Sequence, residues 1–345
     1  MTRSLKAVAL AAGALGAGAL GAAVSGRKLA TRHRDIRELV AADLRSPLLY
    51  VNLPTTSARG ARALRRVELS RMFPLPSGVT STRRTVGGGT REPVTLHLYE
   101  PAGRQRPSGV LYWIHGGGFV IGSAVMGQSF GGRVAQELGV LVVSVEYRLA
   151  PDHPFPAPLE DCYTGLAWVH EHADELGVDP TRIAVGGESA GGGLAATLAQ
   201  LAHDRGEVPL CFQLLVYPMA DDRTVVRADH GRTGRVGWDP ASNRFGWTSY
   251  LGHPPGTDTV APYAVTARRA DLTGLPPAWI GVGDIDLFHD EDLEYAERLR
   301  AAGVPVDLVV VPGMPHGADV LMPQAPQMVA FNDAKLAALR RALVA

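Results

Sequence analysis

Gly187-Glu188-Ser189-Ala190-Gly191 forms a GxSxG sequence between a short apolar run, Ile183–Gly186, and a stretch of helical composition, Ala190–His203. Strand, sharp turn and helix in that order is the setting in which a serine is lifted clear of the backbone and can act as a nucleophile. Glycines flank the serine because a side chain so close to a strained turn would clash. The Ser189 hydroxyl then stands over a sheet edge at a helix N-terminus, where the dipole favours developing negative charge. A second group, His115-Gly116-Gly117-Gly118-Phe119, directly follows the apolar run Val110–Ile114. A serine that attacks a carbonyl creates an oxyanion, which needs N–H donors at fixed positions. Consecutive glycines let a backbone come close to the reacting carbon and turn its amides toward it.

Both loops need a scaffold, and the rest of the chain reads as one. Apolar, often β-branched runs at Val110–Ile114, Val140–Val145, Ile183–Gly186, Leu210–Tyr217, Ala278–Val282 and Val306–Val311 alternate with helical stretches. The helices are expected at Gly131–Leu138, Leu159–Leu176, Ala190–His203, Glu291–Ala302 and from about Pro326 to Leu343. Such apolar strands with amphipathic crossovers predict an α/β fold, its mostly parallel sheet covered on both faces. Upstream, Thr82–Val86 and Val94–Tyr99 flank Gly87-Gly88-Gly89 and predict a hairpin. Before that, Ile36, Leu39, Val40 and Leu44 recur at helical spacing until Pro47, and a second helix is expected over Ala58–Leu69. Met219–Thr273 is too long for a crossover and reads as an inserted subdomain. Within it, Trp247 and Tyr250 stand one helical turn apart, expected either on a pocket wall or as the aromatics that join the cap to the body.

HGGGF, the stretch Tyr147-Arg148-Leu149-Ala150-Pro151 running into Pro154-Phe155-Pro156-Ala157, and GESAG together resemble the hormone-sensitive-lipase-like branch of the α/β-hydrolases, in order and spacing from about Leu96 to Leu343. The resemblance implies a serine hydrolase that cleaves carboxylic esters through an acyl-enzyme. It also implies a cap made from residues 31–77 and an insertion at 219–273, over a catalytic domain spanning 78–345. In that family the triad runs Ser, acid, His along the chain. An Asp followed four and five residues on by Asp-Glu selects Asp286, ahead of Asp290-Glu291, with Asp284 left as competitor. The loop Gly313-Met314-Pro315-His316-Gly317 matches the family's histidine loop and selects His316. Ala318 stands where the family usually has Phe, which widens the space behind the histidine. Carried over residue by residue, Gly117, Gly118 and Ala190 are the oxyanion donors. His115 and Gly116 shape that loop, Glu188 supports the turn at Ser189, and Arg148 with His153 braces the oxyanion loop. The scattered aromatics of the cap pieces point to a small ester of short to medium acyl chain. An acyltransferase or amide hydrolase on the same triad stays open, and more remotely a non-catalytic ligand receptor.

Composition excludes other classes. Among 345 residues, Lys+Arg and Asp+Glu each number 34, so there is no basic excess for a nucleic-acid partner. Two cysteines, Cys162 and Cys211, exclude a disulfide framework or a thiolate metal site, and both are expected as buried free thiols. His170-Glu171-His172 lacks the HExxH spacing, and Gly16-Ala17-Gly18-Ala19-Leu20-Gly21 has the GxGxxG pattern without a strand before it. No metal or cofactor is expected. Residues 1–30 stand apart: Ala7–Gly26 are 20 uncharged residues, 14 of them Ala or Gly, behind Arg3 and Lys6. That length just spans a bilayer, although Ala and Gly contribute little transfer energy. Membrane association or export through residues 7–26 is the first expectation, and a soluble arm on a cytoplasmic protein the alternative. A homodimer is a further expectation.

Overall fold

The structure, a computed structural model, describes residues 22–50, 55–70, 72–89 and 91–344, with side chains from residue 31 onward. Most of the hydrophobic stretch 7–26, and with it the expectation of membrane association, lies outside the described residues. Among the described residues no helix is long and apolar enough to cross a membrane.

The N-terminal part holds helix α1 (Ala22–Leu39), two short 3-10 turns and helix α2 (Ala58–Leu64). Ser57 caps α2 by accepting the Gly60 amide. The helix is shorter than expected, because past Leu64 the amides of Arg66 and Val67 switch to tighter bonds with Ala63 and Leu64. Strands β1 (Val79–Gly88) and β2 (Arg91–Pro101) form the expected hairpin. Then follow β3 (Ser108–Ile114), α3 (Gln128–Leu138), β4 (Leu141–Glu146), α4 (Ala157–Glu171), α5 (Ala173–Leu176) and β5 (Val178–Glu188). The chain continues through α6 (Ala190–Arg205), β6 (Phe212–Val216), α7 (Pro240–Leu251), β7 (Ala278–Gly283), α8 (His289–Ala301), β8 (Val306–Val311), α9 (Ala318–Leu321) and α10 (Pro326–Leu343).

Among the described residues the eight strands join one sheet in the order β1-β2-β4-β3-β5-β6-β7-β8. β2 runs antiparallel to β4, and from β4 through β8 every pairing is parallel. This is the α/β-hydrolase architecture that the resemblance implies. Apolar residues pack on both faces, which is why the central strands read as unbroken hydrophobic runs. One face meets α4, α6 and α8 through Leu166, Leu198 and Leu299, and the other meets α1, α3 and α10 through Ile36, Val134 and Leu339. Of the two free thiols, Cys162 is buried as expected, whereas Cys211, at the entry to β6, is only half-buried.

Sheet register places the chemistry. Ile114 at the end of β3 lies opposite Gly187 of β5, and Gly283 at the end of β7 lies opposite Val311 of β8. The HGGGF loop therefore leaves the sheet beside the GESAG turn, and the acidic turn beside the histidine loop. All four lie at the carboxyl ends of parallel strands, where open α/β sheets bind ligands.

Candidate active site

Ser189 links β5 to α6 and holds φ +56°, a left-handed conformation that a side chain rarely adopts. The turn is tight enough that a Cβ on Gly191 would sit 2.2 Å from the Ile114 carbonyl oxygen. Only glycine fits there. The Ser189 Oγ lies 2.9 Å from His316 Nε2, and His316 Nδ1 lies 2.7 Å from Asp286 Oδ2. Asp286 is fully buried, and its other oxygen accepts the Phe288 amide at 3.0 Å. With the carboxylate accepting at Nδ1, that nitrogen carries the proton and Nε2 is free to accept one from the serine. Tyr217 and Phe288 meet the His316 ring edge-on, at 4.6 and 5.2 Å between centroids. Behind it, Asp319 takes hydrogen bonds from the Tyr217 hydroxyl and the buried Lys335 ammonium, both at 2.7 Å, tying the histidine loop to α10.

Asp284 has a different occupation. Its Oδ1 accepts the Gly313 amide at 2.6 Å, and its Oδ2 is 3.7 Å from the Arg232 guanidinium. It anchors the base of the histidine loop and does not reach the imidazole.

The HGGGF loop passes beside the serine. Gly117, Gly118 and Phe119 have φ of +114°, +58° and +65° in succession. Neither the Gly117 nor the Gly118 amide is taken by an acceptor among the described residues, and Ala190 is the first residue of α6, where backbone N–H groups have no helical partner. The Glu188 side chain packs against Gly116, where an added Cβ would lie 3.2 Å from its Cγ, and burial and, next, the charge of Asp319 push its carboxyl up to about 7. Glu188 thus ties the serine turn to the oxyanion loop.

His115 is completely buried, stacked on Tyr147 at 4.2 Å, with its Nδ1–H donating to the Gly116 carbonyl at 2.8 Å. Burial lowers it from the usual 6.5 to about 4. Between those pH values the unfolded chain binds a proton that the folded one refuses. Stability contributed here is complete above the unfolded value and is lost as pH falls toward 4. A shift of that size corresponds to about 3 kcal/mol. Denaturant unfolding near pH 7 and near pH 4.5 should show a smaller acid loss in His115→Asn than in the parent; equal losses would contradict a neutral buried imidazole.

One expectation needs correction. Arg148 does not brace the oxyanion loop: its guanidinium pairs with buried Asp161 of α4 at 2.7 Å, and His153 is exposed. Consecutive side chains leave the end of β4 on opposite sides, so it is Tyr147 that turns inward, its hydroxyl donating to the His115 carbonyl at 3.0 Å. Trp247 and Tyr250 follow the second of their two readings and join the cap to the body. Both are buried, with Tyr250 stacked on Phe119 at 4.1 Å and Trp247 at 5.2 Å from the same ring, fastening α7 to the oxyanion loop.

Trp238, which no motif marked, is a further aromatic at the site, on the side of the HGGGF loop. A Cβ on Gly118 would lie 2.4 Å from its ring, and its centroid is 6.5 Å from that of His316. Its indole N–H donates to Asn243 of α7 at 3.3 Å. Ala318, where a Phe was expected by resemblance, is fully buried at the start of α9. A cavity of about 810 Å³ between the insertion and α8 is a separate feature. Gln200, Arg268 and Arg298 line it, and Ser189, Asp286 and His316 do not. Its four arginines are committed elsewhere, Arg223 to Asp221, Arg268 to Asp222, Arg269 to Asp204 and Arg298 to the Ala267 and Arg269 carbonyls.

Comparison with known proteins identifies the family. The α/β-hydrolase-fold family profile matches residues 111–320. The carboxylesterase NlhH of Mycobacterium tuberculosis is 40% identical over 266 residues, covering 75% of this chain and 82% of the relative. An ethyl acetate hydrolase of Pseudomonas putida is 32% identical over 242 residues, 70% of this chain and 76% of the relative. Among solved structures, a bacterial heroin esterase superposes with a TM-score of 0.81 at 38% identity, over 88% of this chain and 98% of that one. The chain belongs to the α/β-hydrolase superfamily, as a carboxylic ester hydrolase of its hormone-sensitive-lipase-like branch.

Proposed function

We propose that this esterase cleaves small carboxylic esters of short to medium acyl chain through an acyl-enzyme on Ser189. The observation that carries the reading is the continuous hydrogen-bond chain from Asp286 through His316 to Ser189, beside loop amides that no acceptor among the described residues takes. Ser189 Oγ attacks the ester carbonyl while His316 Nε2 takes its proton. Asp286 holds the imidazole in the working tautomer and stabilises its charged form. The amides of Gly117, Gly118 and Ala190 receive the oxyanion. Collapse expels the alcohol, which leaves with the proton from His316. A water molecule, deprotonated by the same nitrogen, then attacks the acyl carbon and frees the acid and Ser189.

The pieces 31–77 and 219–273 act as the cap. Thr55 of the first and Ser242 of the second share a buried hydrogen bond of 2.8 Å, and Trp238 of the second covers Gly118. That ring limits the room beside the oxyanion loop, which favours small acyl groups, in keeping with a relative named for ethyl acetate hydrolysis. In a series of p-nitrophenyl esters, kcat/KM should peak at short to medium chains and fall steeply toward palmitate. Faster hydrolysis of emulsified long-chain triglyceride than of a butyrate ester would overturn the size assignment.

A further inference from the structure

We infer that Arg65 is a positioning residue for the oxyanion loop, reaching it from the segment that follows α2. The inference rests on the functional reading above, in which Gly117 and Gly118 donate to the oxyanion. Three successive residues with positive φ give this loop an unusual shape, which its own bonds from the Val120 and Ile121 amides to the Gly117 carbonyl close only at one turn. Glycine tolerates the conformation, but Phe119 carries a side chain and is strained at φ +65°. Such a conformation persists only where surrounding contacts over-determine it.

On its N-terminal side the loop is held by the Tyr147 hydroxyl on the His115 carbonyl and by the close packing of Glu188 against Gly116. On its C-terminal side the Phe119 carbonyl accepts the Ala150 amide at 3.0 Å. The next carbonyl, Val120, accepts Arg65 Nε–H at 2.8 Å, and Arg65 Nη2 donates to the Ala150 carbonyl. Those two donors share one edge of the guanidinium, a planar fork that lysine cannot reproduce. The fork therefore staples the loop exit to the 150 turn, where the two backbones already meet. Nη1, on the other side, is 2.6 Å from Asp152 Oδ2 and fixes the fork's orientation. Arg62 pairs with the same carboxylate, at 2.5 Å on Oδ1, but makes no hydrogen bond to the loop among the described residues. Arg62 thus separates pairing with Asp152 from holding the loop.

Misplaced oxyanion donors weaken binding of the transition state more than binding of the ester itself, so the loss should appear in kcat. The test uses the full chain, with Arg65→Ala, Arg65→Lys and Arg62→Ala assayed on a butyrate ester and with a trifluoromethyl ketone that forms a tetrahedral adduct on serine. Near-UV circular dichroism reports folding. Arg65→Ala should lower kcat about 10- to 100-fold with KM within about twofold, and weaken the ketone by a similar factor. Arg65→Lys, which keeps the charge beside Asp152 but not the fork, should retain most of that loss. Arg62→Ala should stay within about twofold of the parent. Parent-level kcat in either Arg65 variant, a change confined to KM, or an equal loss in Arg62→Ala would overturn the inference. If the alanine variant does not fold, the lysine variant decides by the same criteria. Ester hydrolysis by the parent and its loss in Ser189→Ala report on the functional reading separately, so a failure there is distinguishable from a failure of Arg65.

Discussion

Ser189→Ala is expected to lower ester hydrolysis by at least ~10³-fold while the protein stays folded. Triad members act as a unit: without the hydroxyl, His316 has no proton to take and no acyl-enzyme forms. What survives is the contribution of the oxyanion amides and of binding, acting on an unassisted water. The fold should tolerate the change, because Ser189 makes its structural bonds with its backbone, the amide to Val216 and the carbonyl from Gly193 and Met219. Steady-state rates on a short p-nitrophenyl ester, with circular dichroism for folding, check both statements. A folded alanine variant with near-parent turnover would sink the mechanism.

The second large effect separates the two acids. Asp286→Asn should cost about 10³ to 10⁴ in turnover, because an amide at this position favours the wrong tautomer of His316 and cannot stabilise an imidazolium. Asp284→Asn should cost far less. Asp284 accepts the Gly313 amide through Oδ1, and an asparagine keeps an oxygen able to do the same. The reverse ranking of kcat would move the triad acid to Asp284 and contradict the hydrogen bond seen at Asp286.

The sequence was readable where function depends on local backbone shape and less so where it depends on distant contacts. GESAG and HGGGF announce themselves because a strained serine turn and a close-approaching amide loop each demand particular residues at adjacent positions. The central strands were legible because burial on both faces leaves unbroken apolar runs, and only their ends moved, β5 starting at Val178 rather than Ile183. Asp286 required the family's spacing to Asp290-Glu291, since Asp284 and Asp286 stand on one short turn and nothing local ranks them. Trp247 and Tyr250 show the limit of periodicity. One-turn spacing correctly put them on one face of a helix, but not what that face packs against. Trp238 and Arg65 carry no pattern, because each gains its place from a partner far along the chain, Gly118 for one and the Val120 and Ala150 carbonyls for the other. Arg148 was assigned to the wrong neighbour for a related reason: the motif names the loop, and the direction of each side chain is settled only when β4 ends.

Whether the acyl group passes through Ser189 is the central claim, and rapid-quench mass spectrometry addresses it most directly. Enzyme mixed with a short-chain ester and acid-quenched within the first turnover should gain the mass of one acyl group, located by digestion on the peptide that contains Ser189. The Asp286→Asn protein should acylate far more slowly at the same residue. An unmodified Ser189 peptide throughout turnover, or the acyl group on another residue, would contradict the account.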